Sequence, residues 1–206
     1  MVQEKRFRTA VFIAGNHDVT LDLAYYERRG ARRFHTSGGR EAEDPRKAKE
    51  VVTNAWPHAR YLEDAGLRLG GLHFWGFPSQ PAFCDWAFND SRAELVPKWA
   101  AVPSDVDVLL SHGPAQLHGD GCDKSARLGP GSVSHEGDGA QLAEILSGRL
   151  KPAVAIAGHI HEGRGATTHA GCKTLFVNAS TCTFRYAPTQ LPIVVDVPRR
   201  PISTYV

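Results

Sequence analysis

Residues 153–163 read AVAIAGHIHEG: a short apolar run, then Gly158, two histidines one residue apart, a glutamate and a second glycine. A brief apolar run bounded by turn formers is how a strand buried on both faces looks. Its exit carries the imidazoles of His159 and His161, which packing alone does not require. One of the chain's 10 histidines could fall there by chance, but the pattern repeats. RTAVFIA (8–14) runs into GNHD (15–18), and VDVLL (106–110) runs into SHGP (111–114). In open α/β sheets the ligand crevice lies beyond the carboxyl ends of the strands, so exits carrying Asn16, His112 and His159 point at one place.

Further apolar runs rich in β-branched residues, TLFV (174–177) and PIVVDV (192–197), read as strands of the same kind. LRLGGLHFWGF (67–77) reads as a hairpin closed by Gly70-Gly71 in a tight primed turn. Helices are expected at 21–29, about 43–54, 90–101 and 139–147. The last has the clearest signals: Asp138 and Gln141 in capping-box positions, Leu142, Ile145 and Leu146 on one face, and Gly148 as a stop. Strands and helices alternate around one hairpin, which predicts an α/β fold with a mixed sheet and helices packed outside.

The 206 residues, 42% apolar, suffice for one sizeable core and predict one domain. With 24 basic and 22 acidic residues the net charge is +2, so global charge points to neither nucleic acid nor a membrane surface as a partner. Cys84, Cys122, Cys172 and Cys182 form no C-x-x-C pair and read as reduced thiols. The N-terminus has only a short apolar run ending in Gly-Asn-His, neither a secretory core nor a membrane span, and a soluble, cytoplasmic protein is expected.

Imidazole nitrogen and amide oxygen both bind Zn, Mn or Fe. In His-x-His on a tightly turned backbone the two rings can serve different ions, and two-metal sites hold their ions about 3.5–4 Å apart to activate water against phosphorus. GNHD, SHGP and GHIHEG, in this order and followed by FVNASTCTFRYAPTQLPIVVDVP (176–198), resemble the later motifs of the calcineurin-like metallophosphoesterases, in particular the fetal-brain type. The resemblance runs from about residue 7 to residue 198.

The resemblance implies an αββα sandwich of two mixed sheets flanked by helices. It implies a metal-dependent phosphoric ester hydrolase, a phosphodiesterase or phosphatase in which metal-activated hydroxide attacks in line. It casts Asn16, His112 and His159 as ligands of one ion (Mn, Fe or Zn) and His161 as a ligand of a second. His17 matches the histidine that contacts the phosphoryl group and protonates the leaving oxygen, with Asp18 orienting its ring. The partner implied is a small phosphoester, such as a nucleotide.

Family members also carry Asp-x-His on a first strand and Gly-Asp after a second, the latter supplying the carboxylate that bridges both metals. Neither motif stands ahead of GNHD here, where Glu4 is the only acidic residue among the first 15. The chain is therefore expected to lack its first strands, as an incomplete gene model or a natural short form, and to hold one ion or none. No spacing argument makes Asp18, Asp120, Asp123, Glu136 or Glu162 a replacement carboxylate. A catalytically degenerate domain serving as a nucleotide- or protein-binding module is the alternative.

Other segments read two ways. The arginine-rich stretch 28–50 is a solvated loop running into a helix, or it faces a phosphate. In FWGFPSQPAFCDW (74–86), Trp75, Phe77 and Trp86 are core rings or stack on a base. Asn178 caps its own turn or borders the site. His118 and His135 are loop residues of open role.

Overall fold

In a computed structural model, the structure describes residues 8–54, 57–121 and 137–198; Cys122, Asp123, His135 and Glu136 lie outside them. The centre is a six-stranded mixed sheet in the order β3 (Ala65–Leu69), β4 (Leu72–Phe77), β7 (Val108–Ser111), β8 (Val154–Ala157), β10 (Leu175–Asn178), β9 (Gly165–Thr168). Strands β4, β7, β8 and β10 are parallel, and the outer partners β3 and β9 are antiparallel. A second small sheet pairs β1 (Ala10–Phe12) with β2 (Ala59–Tyr61) in parallel, and β5 (Gln80–Pro81) pairs with β6 (Asn89–Asp90). This mixed α/β arrangement of sheets and flanking helices is the one the sequence implied.

Period-two alternation sorts the central strands between two faces. Phe77 of β4, Leu109, Ala155 and Phe176 join Leu95, Trp99, Leu142 and Ile145, the apolar sides of α3 (Arg92–Ala101) and α4 (Gly139–Leu146). Phe77 stacks on Trp99 with centroids 3.8 Å apart, which makes Phe77 a core ring; Trp75 packs against the same cluster. On the opposite face Val108, Val154 and Val177 form a separate cluster.

That second face corrects the reading of 192–197. The segment forms no strand; it runs irregularly with Ile193, Val195 and Val197 packed on the valine cluster while Val194 is 88% exposed. The alternation is satisfied by lying on the sheet rather than by pairing with it. The hairpin agrees with expectation: Leu69 pairs with Leu72, and Gly70 (φ 62°) and Gly71 (φ 82°) take the left-handed conformations that a primed turn requires. Gly76 serves a different end, because a Cβ there would stand 2.3 Å from Leu62 Cβ and 2.8 Å from Ile13 Cγ2. Its bare backbone lets the small sheet's flanking residues press against β4.

Helix α4 is capped as expected at Asp138, whose Oδ1 accepts from Ala140 N (2.9 Å) and Gln141 N (3.2 Å). Gln141 does not complete a capping box; it crosses to Ser111 Oγ at 3.2 Å. The full capping box belongs to α3, between Ser91 and Glu94. The helix expected at 21–29 begins as α1 (Leu23–Tyr25) and continues as a π-helical run over Tyr26–His35, so the arginine-rich segment starts as helix rather than loop. Helix α2 (Pro45–Asn54) follows. Among the described residues no helix is long and apolar enough to cross a membrane.

Candidate functional site

Parallel pairing of β7 and β8 brings their carboxyl ends, Ser111 and Ala157, to the same edge of the sheet. Gly158 N donates to His112 O (3.0 Å), locking the two exits together. The third exit comes from β1, which belongs to the other sheet. Its loop is closed by Asp18, whose backbone N–H donates to Gly15 O (2.9 Å) and whose Oδ2 accepts from Gly15 N (2.7 Å). A Cβ on Gly15 would stand 2.4 Å from His112 Cε1, so this glycine lets the imidazole lie against the loop backbone.

The result joins residues 96 positions apart: His112 Nε2–H donates to Asn16 Oδ1 at 2.8 Å, a proton that a bound ion would replace, with Asn16 5% exposed. The His159 ring lies 4.7 Å from that of His112. Burial, and then the nearby His17, push the His112 pKa down to about 4, so the ring is neutral at physiological pH and a lone pair is available. His161 donates from Nδ1 to Thr183 O (3.0 Å), which fixes the ring and turns Nε2 away from that carbonyl.

His159 takes φ 65°, in the left-handed region that disfavours residues with a Cβ. The turn is held from below by Asn178, 1% exposed, which donates from Nδ2 to Ile160 O (2.7 Å) and to Gly119 O (2.8 Å). Ser180 Oγ donates to the same Ile160 oxygen (3.3 Å). Asn178 therefore caps the histidine loop, a tertiary role that its position after a strand did not specify.

These residues open on a cavity of about 520 Å³ lined by Asn16, His17, His112, His159 and His161, and also by Phe83, Trp86, Glu162, Cys182 and Tyr186. His17 packs against Trp86 with centroids 4.3 Å apart, and His161 meets the edge of Tyr186 at 5.0 Å. Asp18 is committed to the Gly15 backbone rather than to the His17 imidazole. Of the other carboxylates considered, Asp120 accepts from Gly137 N (3.1 Å), and Glu162 is the one that reaches the cavity. Trp86 separates from Trp75 and Phe77 as the ring at the site; its only sequence signal was the aromatic density of the segment.

Could this set hold metal? The 2.8 Å between Asn16 Oδ1 and His112 Nε2 is close to the edge of an octahedral shell, about 3 Å for bonds of about 2.1 Å. His159 supplies a third donor side chain beside them. Among the described residues no group of three or more His, Cys, Asp or Glu is placed to hold a metal ion.

Comparison with known proteins bears on what this arrangement is. The calcineurin-like phosphoesterase family matches over residues 2–163, a span that includes all three histidine-bearing exits. The chain belongs to that family. Its members use divalent metal ions. Metallophosphoesterase domain-containing protein 1 of Homo sapiens is 33% identical over 192 residues, covering 91% of this chain and 55% of its own length, and the Mus musculus protein matches equally. A UPF0046 protein of Caenorhabditis elegans is 32% identical over 206 residues, covering 95% of this chain and 48% of its own. The chain thus spans about half the length of these relatives.

Proposed function

We propose that the cavity hydrolyses phosphoric esters with the help of a divalent ion held by Asn16, His112 and His159. The observation that carries this reading is the convergence of Asn16 Oδ1 and His112 Nε2 at 2.8 Å, beside His159, in a member of a phosphoesterase family. An ion at this position supplies positive charge to the phosphoryl oxygens and lowers the pKa of water. His112 contributes a neutral ring throughout the physiological range. His161 turns Nε2 away from its Thr183 anchor. His17 is the proton donor to the leaving oxygen, and its tilted packing on Trp86 positions the ring. Phe83, Trp86 and Tyr186 line the cavity with aromatic rings that offer apolar surface to a leaving group.

Turnover of bis(4-nitrophenyl) phosphate and 4-nitrophenyl phosphate with manganese tests the reading. His159→Ala lowers turnover at least about tenfold, the scale of a disturbed metal site. Unchanged turnover refutes the assignment.

A second reading, a binding module without hydrolysis, draws support from the same donor set, which offers amide oxygen and imidazole and, in Glu162, one carboxylate. A nucleotide that raises the melting temperature and is recovered intact favours that reading.

A further inference from the structure

A second cavity, of about 490 Å³, lies along the π-helical run and is lined by Arg28, Arg29, Arg32, Arg33, Ser37 and Asp85. Four guanidinium groups and one carboxylate line it. Arg29 Nη1 lies 2.9 Å from Asp85 Oδ2 and Arg33 Nη1 3.4 Å from the same atom, while Arg33 also donates to the Asp85 carbonyl. Among the described residues Arg28 and Arg32 have no ion-pair partner. Four like charges around one cavity repel each other, and exposed ion pairs such as these return little stability to the fold. The cavity thus gathers more positive charge than Asp85 balances, and an anion entering it is attracted.

Trp86 lines the histidine cavity and reaches the arginine cavity through Arg33, one of its lining residues. Arg33 lies 5.0 Å over the Trp86 ring and 5.0 Å over Phe34, Phe34 stacks on Trp86 at 4.9 Å, and the His17 ring is 4.3 Å from Trp86. One indole thus meets the catalytic histidine and one of the arginines. Guanidinium groups bind phosphate through paired, charge-assisted hydrogen bonds. We infer that the arginine cluster is a subsite for a second phosphate of the substrate: the ester undergoing cleavage lies at Asn16 and His112, its ring system rests on Trp86, and its other phosphate is taken by Arg28 and Arg32. The substrate class is a nucleoside carrying two separate phosphates, and the inference rests on the phosphoester reading above.

Calorimetric titration of the whole chain with adenosine 3′,5′-bisphosphate and with adenosine 5′-monophosphate tests this, alongside the variant Arg28→Ala/Arg32→Ala. Both side chains are exposed on a helix, where alanine is well tolerated. The expected result is a preference of about tenfold or more for the bisphosphate, the scale of one charge-assisted pair. In the variant that preference disappears while monophosphate affinity is unchanged. Equal affinity of the parent chain for both nucleotides, or a preference that survives in the variant, overturns the subsite and leaves the phosphoester reading standing. Binding of neither nucleotide overturns both. A single-stranded oligodeoxynucleotide that binds more tightly than the bisphosphate, and loses affinity in the variant, overturns it in favour of a polyanion surface.

Discussion

Asn178 Nδ2 donates to Ile160 O at 2.7 Å, so a residue at the end of β10 fixes the turn that carries both His159 and His161. The same amide reaches Gly119 O at 2.8 Å, tying the loop after β7 to the loop after β8. Replacing Asn178 with alanine removes the donor to Gly119 O, at about 1–3 kcal/mol, whereas Ile160 O keeps Gly163 N (3.2 Å) and Ser180 Oγ (3.3 Å). The expected outcome is a loss of roughly 1–3 kcal/mol by urea unfolding, with weaker manganese binding. A stability change within about 0.5 kcal/mol, the range of ordinary surface substitutions, would show that the amide does not anchor the loop.

His159 holds its imidazole in place at the expense of backbone strain. At φ 65° glycine suffers no Cβ clash, whereas L residues lose on the order of 1–2 kcal/mol. His159→Gly is therefore expected to be more stable than His159→Ala by about 1 kcal/mol, the reverse of the usual order of these residues. Both variants lose metal affinity. Denaturant midpoints in the ordinary order, alanine above glycine, would contradict the left-handed turn.

His118 supplies a pH dependence. Its ring is buried, stacks on Phe176 at 3.8 Å, and shares hydrogen bonds with Thr167 Oγ1 (2.9 Å) and His169 Nδ1 (3.0 Å). Burial, and then His169, push its pKa below 6.5, with Asp120 opposing. The unfolded chain therefore takes up a proton at higher pH than the folded chain does. Stability from this group is complete above the unfolded value of about 6.5 and falls as pH drops through it toward the folded value. Between pH 7 and 5 the parent chain should lose more stability than His118→Gln. Parallel curves for the two proteins would remove His118 from the account.

The segment after β10 gives a test of packing without pairing. Val195 packs on the valine cluster of the sheet, whereas its neighbour Val194 is 88% exposed. Val195→Ala is expected to cost about 1 kcal/mol, from two partly buried methylene equivalents, and Val194→Ala less than about 0.5 kcal/mol. Equal costs would mean that the alternation does not face the sheet.

The three histidine-bearing exits were legible in the sequence because each ends an apolar run, and strand ends gather ligands whatever the surrounding detail. Their joining across two sheets was not legible, since β1 pairs with β2 through contacts no local pattern encodes. The apolar alternation at 192–197 reads the same for a paired strand and for a segment lying on a sheet; only the tertiary arrangement decides. The arginines at 28–33 looked like a solvated charge run because their common cavity depends on Asp85, more than fifty residues on. Trp86 and Glu162 carried no spacing signal, and their place at the site follows from loops whose paths are set by packing.

The proposed chemistry requires an ion held by Asn16, His112 and His159. Elemental analysis of the purified chain, loaded with manganese or zinc and then desalted, tests this directly beside His112→Ala. One ion per chain in the parent protein, lost in the variant, is the result expected. No ion in the parent protein, or the same content in His112→Ala, would contradict it.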